Sequence, residues 1–249
     1  MKISLITTCF NREATIGQAI ESVLVQDYPD VEYIVVDGAS RDHSLSVIGQ
    51  YRDHIDRLIS EPDHGMYEAI NKGIRAATGE VIGLLHSDDF LFDAHVLSDL
   101  ADCFAKKEAD VVYGNGLFVD ARRTNRVVRN WVSGPFHPWK VRWGWLPLHP
   151  TVYVRREVME RTGLYDERYQ IAADTDFLLR CLLDASWRVE YLDRYIVRMR
   201  MGGLSTDQAR RKQMWREDVA IYRAYGFPGV LLKLLKVGWK VPQFLVKQS

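Results

Sequence analysis

The amino-acid sequence predicts an α/β fold with a mostly parallel central sheet and helices on both faces. Uniformly apolar segments of four to seven residues alternate with segments whose apolar residues recur at helical spacing. Strands that are apolar throughout belong to sheets covered on both sides, as parallel sheets are. Each strong strand also ends in a polar cluster, and ligands in open α/β sheets sit outside the carboxyl ends of the strands. The composition, 47% hydrophobic and 27% charged over 249 residues, excludes a disordered or low-complexity chain.

The elements follow in order. Residues 3–9 form a buried first strand, too short an apolar run for a secretory leader. Ile16, Ala19, Ile20, Val23 and Leu24 then mark a helix that ends near Tyr28-Pro29. A second strand, 33–36, stops at Asp37-Gly38; a helix over 45–51 and a short strand at 58–59 come next. Helix 66–77, strand 81–85, helix 96–104 and strand 111–113 complete the regular half. The second half is less periodic, with a strand-like 151–154 and helical patterns over 174–184 and 207–225. No stretch approaches the 18 or so apolar residues that would span a membrane. Without internal repeats or a Pro/Gly/Ser-rich linker, one compact domain is expected.

Charge is strongly polarised along the chain. Residues 1–120 carry 9 basic and 21 acidic residues, and residues 121–249 carry 24 and 12. This suggests an acidic, metal-binding front and a basic rear aimed at phosphates or a membrane surface. Residues 121–148 hold no acid, six basic residues and four of the seven tryptophans. Cys9, Cys103 and Cys181 are scattered without a disulfide framework or zinc-ligand spacing, as in proteins of reducing compartments.

Three polar clusters converge on the predicted rim: Thr8-Cys9-Phe10-Asn11, Asp37-Gly38-Ala39-Ser40 and His86-Ser87-Asp88-Asp89. Two adjacent carboxylates repel unless neutralised, so Asp88-Asp89 reads either as a divalent-cation site or as an acidic turn capping the next helix. Asp37 could accept a hydrogen bond from a base N–H or a ribose hydroxyl, or cap the helix near Ser44. No GxGxxG or GxxxxGK accompanies it. Asp174-Thr175-Asp176 opens a helix, where carboxylates either complement the dipole or serve a general base's role. His149 is a lone histidine, structural or acceptor-orienting. Gly202-Gly203-Leu204-Ser205 is a phosphate-cradling loop or a plain turn. Lys233, Lys236, Lys240 and Lys247 fall within an arc of roughly 60° on a helix otherwise lined by Leu231, Leu232, Leu234, Leu235 and Trp239. This pattern reads as an interfacial membrane helix, or as a helix packed on the body with a solvated lysine stripe. The acidic rim argues against nucleic acid as a partner.

These residues together resemble the family-2 glycosyltransferases of GT-A fold, closest to members that build bacterial O-antigen and exopolysaccharide repeat units. The match runs through Ile3-Ser4-Leu5-Ile6-Thr7-Thr8-Cys9-Phe10-Asn11-Arg12, Ser22–Pro29, Val35-Val36-Asp37-Gly38-Ala39-Ser40, and Ser60-Glu61-Pro62-Asp63-His64-Gly65-Met66-Tyr67-Glu68-Ala69-Ile70-Asn71-Lys72-Gly73. It continues through His86-Ser87-Asp88-Asp89, Leu148-His149-Pro150 and Ile171-Ala172-Ala173-Asp174-Thr175-Asp176. The chain departs from the family where Asp-Asp-Gly-Ser becomes Asp37-Gly38-Ala39-Ser40, where Glu-Asp becomes Ala173-Asp174, and where His86 replaces the first Asp of the metal motif.

The resemblance implies an inverting transfer from a nucleotide-diphosphate sugar, a UDP-sugar, to a saccharide acceptor, free or linked to a lipid diphosphate. Thr8 and Asp37 would hold the nucleoside with Asp63 nearby, Asp88 would touch ribose or sugar, and Asp89 would coordinate Mg²⁺ or Mn²⁺. Asp174 would be the base, with His149 on the acceptor or its phosphate. Residues 1–120 would then be the donor half, 121–206 the acceptor half of the same domain, and 207–249 a membrane-associating helical segment. That places the protein in the cytoplasm, peripheral on the inner face of the cytoplasmic membrane. A two-metal phosphohydrolase using Asp88, Asp89, Asp174 and Asp176, and a catalytically silent sugar-nucleotide binding module, are the alternatives.

Overall fold

The computed structural model describes residues 1–202 and 210–244. Gly203-Leu204-Ser205 of the glycine-rich loop and Lys247 lie outside the described residues.

Strands β1 (Ile3–Cys9), β2 (Val31–Asp37), β3 (Arg57–Ser60) and β4 (Val81–His86) form a parallel block in the order β3-β2-β1-β4. Their side chains alternate between two cores, which is why the strands read as unbroken apolar runs. Ile6, Ile34, Val36, Ile82 and Leu84 face one core, and Leu5, Tyr33, Val35, Val81 and Leu85 the other. Helix α1 (Ile16–Leu24) covers the second core through Ile16, Ala19, Ile20 and Val23, four of the five positions its periodicity marked; the fifth, Leu24, is exposed at the helix end. Helix α2 (Ser44–Gly49) adds Ile48 to the same core. Helix α3 (Met66–Ala76) covers the first core with Tyr67, Ile70 and Ile74. It lies so close to β1 that a Cβ at Gly73 would stand 2.4 Å from Ile6 Cγ2, so only glycine allows this approach.

The sheet then becomes mixed. Beyond β4 come β8 (Tyr153–Arg155), β6 (Val111–Val119), β9 (Val189–Arg200) and β5 (Asp89–Leu91), with β7 (Val127–Trp131) paired to β6. β8 runs antiparallel to both neighbours, whereas β6 and β9 are parallel. One continuous sheet thus includes strands from both halves of the sequence. Helix α4 (Val96–Lys107) packs on the second core, and α7 (Ala173–Leu183) on the first through Phe177, Leu178 and Leu182. Two short helices, α5 (Pro138–Arg142) and α6 (Arg156–Thr162), sit between them in sequence.

Helices α8 (Arg211–Ala224) and α9 (Gly229–Gly238) close the described chain. The lysines of α9 do not form the outward stripe expected of a basic amphipathic helix. Lys233 and Lys236 turn inward to the fully buried Asp218 of α8, Lys236 at 2.8 Å. A buried carboxylate strands without counter-charge, so this pairing rotates the helix. Its outward face is apolar instead: Val230, Leu231, Leu234 and Val237 are exposed. No helix among the described residues is long and apolar enough to cross a membrane.

Candidate active site

Strand register brings the rim together. Thr8 stands level with Val36 and His86, Cys9 with Asp37, and Asp37 with Ser60. A cavity of about 830 Å³ opens at these strand ends, lined among others by Thr8, Asp63, Asp88, Asp89, His149 and Asp174. Six of the seven residues expected at the site therefore share one cavity.

Asp37 is the seventh, and it is not in the cavity wall. It is fully buried, and its oxygens accept from the Ser40 backbone N–H (3.1 Å), the Ser40 hydroxyl (2.5 Å) and the Ser60 hydroxyl (3.0 Å). Asp37, expected to hold the nucleoside, braces the loop that follows it. The loop it braces holds Ala39 at φ 57 and faces Asn11 at φ 52. Left-handed backbone costs a non-glycine residue roughly 1–2 kcal/mol. Here two hydrogen bonds offset it: Asn11 N–H donates to Ser40 Oγ (2.9 Å), and Arg41 N–H to Asn11 Oδ1 (2.8 Å). Asp63 stands over the same loop. Its Oδ1 accepts the Gly65 N–H (3.0 Å), while burial pushes its carboxyl above the usual range.

The two adjacent aspartates separate. Asp88 sits in the β4–β5 turn, partly exposed to the cavity, with Arg12 Nε 4.0 Å away. Asp89 is the first residue of β5 and only 2% exposed; its Oδ1 accepts the Arg200 backbone N–H at 3.1 Å. Burial and the charge of Asp88 push the Asp89 carboxyl well above the ordinary range. Arg200 clamps the turn by donating to the Asp88 carbonyl at 2.5 Å and to Gln18. Asp88 is therefore the carboxylate more open to the cavity, and Asp89, the cation ligand expected from the sequence, lies buried beside it. Among the described residues no three carboxylate, histidine or cysteine groups could hold a cation by themselves. A single carboxylate completed by substrate phosphates and water suits Mg²⁺ or Mn²⁺.

Asp174 lines the same cavity from the first turn of α7. Its Oδ1 accepts the Thr175 N–H at 2.7 Å and its own N–H reaches Tyr67 Oη at 3.4 Å. The loop before it is locked by Glu217, which accepts from the N–H groups of Gln170, Ile171 and Ala172, and by Tyr67 Oη donating to the Ile171 carbonyl at 2.8 Å. Asp176 is turned away to Arg180 (3.0 Å) and the Tyr225 hydroxyl (3.0 Å), which removes the fourth ligand that a two-metal hydrolase would require. His149 is buried against the Tyr165 hydroxyl at 2.7 Å, and burial pushes its pKa down to about 4. Burial favours the neutral imidazole, which lines the cavity as a hydrogen-bonding group.

Arg12 and Tyr67 lie inside the motifs read from the sequence, yet only the fold reveals their contacts. Arg200 and Glu217 gave no local signal, because each acts on a segment 45 to 112 residues away.

A parallel block of strands within a mixed sheet, with a cavity of about 830 Å³ at its carboxyl ends lined by Asp88 and Asp174, is the arrangement of a GT-A transferase. The chain matches the Glycosyl transferase family 2 profile over residues 4–166, and it belongs to that family. The PGL/p-HBAD biosynthesis glycosyltransferase of Mycobacterium bovis is 30% identical over 207 residues, 81% of this chain and 78% of that protein. The uncharacterized glycosyltransferase EpsJ of Bacillus subtilis is 30% identical over 259 residues, covering 94% and 74%. Among solved structures, S. aureus TarS 1–349 in complex with UDP-GlcNAc superposes with a TM-score of 0.74 at 21% identity, over 90% of this chain and 66% of that one. Mannosyltransferase PcManGT from Pyrobaculum calidifontis, in complex with GDP-Man and Mn²⁺, gives 0.68 at 17%, over 98% and 73%. The protein is a glycosyltransferase with a GT-A fold.

Proposed function

We propose that the protein transfers a sugar with inversion from a UDP-sugar to a hydroxyl of a saccharide carried on a lipid diphosphate, for surface polysaccharide. The observation that carries this reading is that Asp88 and Asp174 line one cavity at the carboxyl ends of the parallel strands. Thr8 and Asp63 hold the nucleoside, and Asp37 keeps their loop in shape. Asp88 is the protein's ligand to Mg²⁺ or Mn²⁺, with Asp89 and Arg200 fixing its turn. The cation, when bound, neutralises charge developing on the departing diphosphate.

Asp174 accepts the proton of the acceptor hydroxyl. The oxygen forms its bond to the anomeric carbon as the bond from that carbon to the diphosphate oxygen breaks, and UDP leaves with the electron pair. Attack opposite the leaving group inverts the anomeric centre. A positioned base of this kind contributes on the order of 10²–10⁴-fold. Tyr67 and Glu217 act before any proton moves, by holding the first turn of α7 where Asp174 can reach the cavity.

The outer surface supports a peripheral position on the inner face of the cytoplasmic membrane. Leu231, Leu234 and Val237 on α9 are exposed beside Trp139 and Trp143, and Trp239 joins the two groups, 6.3 Å from Trp139 and donating to the Trp143 carbonyl at 2.9 Å. An apolar face flanked by tryptophans suits the headgroup boundary of a bilayer.

The test is turnover with UDP-GlcNAc, Mn²⁺ and a lipid-diphosphate-linked sugar. Release of UDP only when acceptor is present, with sugar gained by the acceptor, is expected. Release of inorganic phosphate, or UDP release indifferent to acceptor, contradicts the reading.

A further inference from the structure

Past Asp174, away from the nucleotide rim, the cavity wall becomes cationic. Lys236 Nζ is held by Thr175 Oγ1 (2.6 Å) and Asp218 Oδ1 (2.8 Å), and Asp218 already shares its charge with Lys233. One turn further, Lys240 lines the same cavity and has no carboxylate partner among the described residues. Its Nζ rests 5.4 Å from the centre of the Trp131 ring, and the Arg129 guanidinium lies 4.8 Å from that ring. Lys233 and Lys236 thus share one carboxylate, while Lys240 and Arg129 meet at the Trp131 ring. Burial, with Lys236, Arg129 and Lys233 close by, pushes the Lys240 ammonium down to about 7. Concentrating like charges in a recess costs free energy that an incoming anion offsets.

The position of the recess says which anion. Lys236 donates to Thr175, the residue next to Asp174, while Arg129 and Trp131 belong to β7, which pairs with β6 and not with the rim strands β1, β2 and β4. The charges that dominate at Lys240 are Lys236, Arg129, Lys233 and Asp218, not the rim carboxylates. Trp239 and Gln243 complete the wall, and Trp239 continues into the apolar outer face. We propose that Lys240, with Lys236 and Arg129, forms a phosphate site for the acceptor, separate from the donor's diphosphate. This rests on the reading of Asp174 as the group facing the acceptor hydroxyl. A phosphate held there places the acceptor's sugar toward Asp174 and its tail toward the apolar face.

Binding of decyl phosphate and of inorganic phosphate to the full chain, already saturated with UDP and Mn²⁺, tests this by calorimetry. Decyl phosphate is expected to bind without displacing UDP. Lys240→Met should raise its Kd at least tenfold, Lys240→Arg should restore it to within about threefold, and UDP affinity should be unchanged in both. A melting temperature equal to that of the parent protein certifies that each variant is folded. Tighter binding of decyl phosphate than of inorganic phosphate assigns the site to a lipid-linked acceptor; equal affinity assigns it to a soluble phosphorylated one. Competition with UDP, a parallel loss of UDP affinity in Lys240→Met, or phosphate binding that ignores Lys240 overturns the proposal. Because the readout is equilibrium binding, it stands apart from whether Asp174 proves to be the base.

Discussion

The carboxylate of Asp63 occupies the space that a side chain at residue 38 would need: a Cβ on Gly38 would lie 2.2 Å from Asp63 Oδ2. The glycine that interrupts the family's paired aspartates is therefore matched by an acid arriving from the loop before α3. Gly38→Ala should displace Asp63 and weaken UDP binding at least tenfold with little change in melting temperature, because only a side-chain end must move. Asp63→Ala should weaken UDP binding as well, and the double variant should lose less than the sum of the two. Coupling of about 0.5–3 kcal/mol is the range for residues in contact. Strict additivity in a calorimetric cycle would separate the two residues.

Asp88 and Asp89 should fail differently when replaced. Asp88→Ala is expected to remove the Mn²⁺-dependent part of the UDP-induced thermal shift and leave the unliganded melting temperature unchanged. Asp89→Ala leaves the Arg200 N–H without its acceptor in a buried site, which costs about 1–3 kcal/mol. Thermal melts with and without UDP and Mn²⁺ distinguish them. Loss of metal dependence in the Asp89 variant alone would return the cation to Asp89.

His149 should make stability fall in mild acid. Its folded pKa is about 4 against 6.5 for the unreacted imidazole, so the unfolded chain binds the extra proton over that interval. The contribution is complete above about pH 6.5 and disappears as pH drops through 4. Between pH 7 and 5 this amounts to about 2 kcal/mol at 1.36 kcal/mol per pKa unit. Urea unfolding of His149→Gln, which keeps a partner for the Tyr165 hydroxyl, should show a correspondingly shallower loss. An identical loss in the variant would place the titration elsewhere.

The outer face of α9 gives a prediction for lipid. Leu234→Glu with Val237→Glu should abolish co-sedimentation with phosphatidylglycerol vesicles and leave UDP binding and the melting temperature unchanged, since both side chains are exposed. Binding of the parent protein should persist in moderate salt, because Lys233 and Lys236 face inward and the contact is mainly apolar. Vesicle binding retained by the double variant removes this face from the membrane.

The parallel block was legible in the sequence because β1, β2 and β4 are buried on both sides and so carry uninterrupted apolar runs. β9 was not: Val189–Arg200 places Glu190, Asp193, Arg194, Arg198 and Arg200 along a strand whose two faces meet different surroundings, so neither periodicity emerges. β5 is three residues long, and its first residue, Asp89, reads as loop until Met199 is seen opposite it. The rim residues were legible because strand ends converge whatever the loops do. The roles of Asp37, Asp89 and the C-terminal lysines were not, since each is decided by a distant partner: Ser60 for Asp37, Arg200 for Asp89, and Asp218 for Lys233 and Lys236. Periodicity located the helix that carries those lysines but not the way it faces.

Asp174→Asn tests the central claim most directly. Asparagine is nearly isosteric, can still accept the Thr175 N–H, and cannot take up the acceptor's proton. With Mn²⁺ and saturating UDP-GlcNAc, donor affinity should stay within about twofold of the parent protein, while the rate of sugar transfer in a single turnover falls at least about a hundredfold, the lower end for a general base. Transfer within a few-fold of the parent rate, at unchanged donor affinity, would contradict the account.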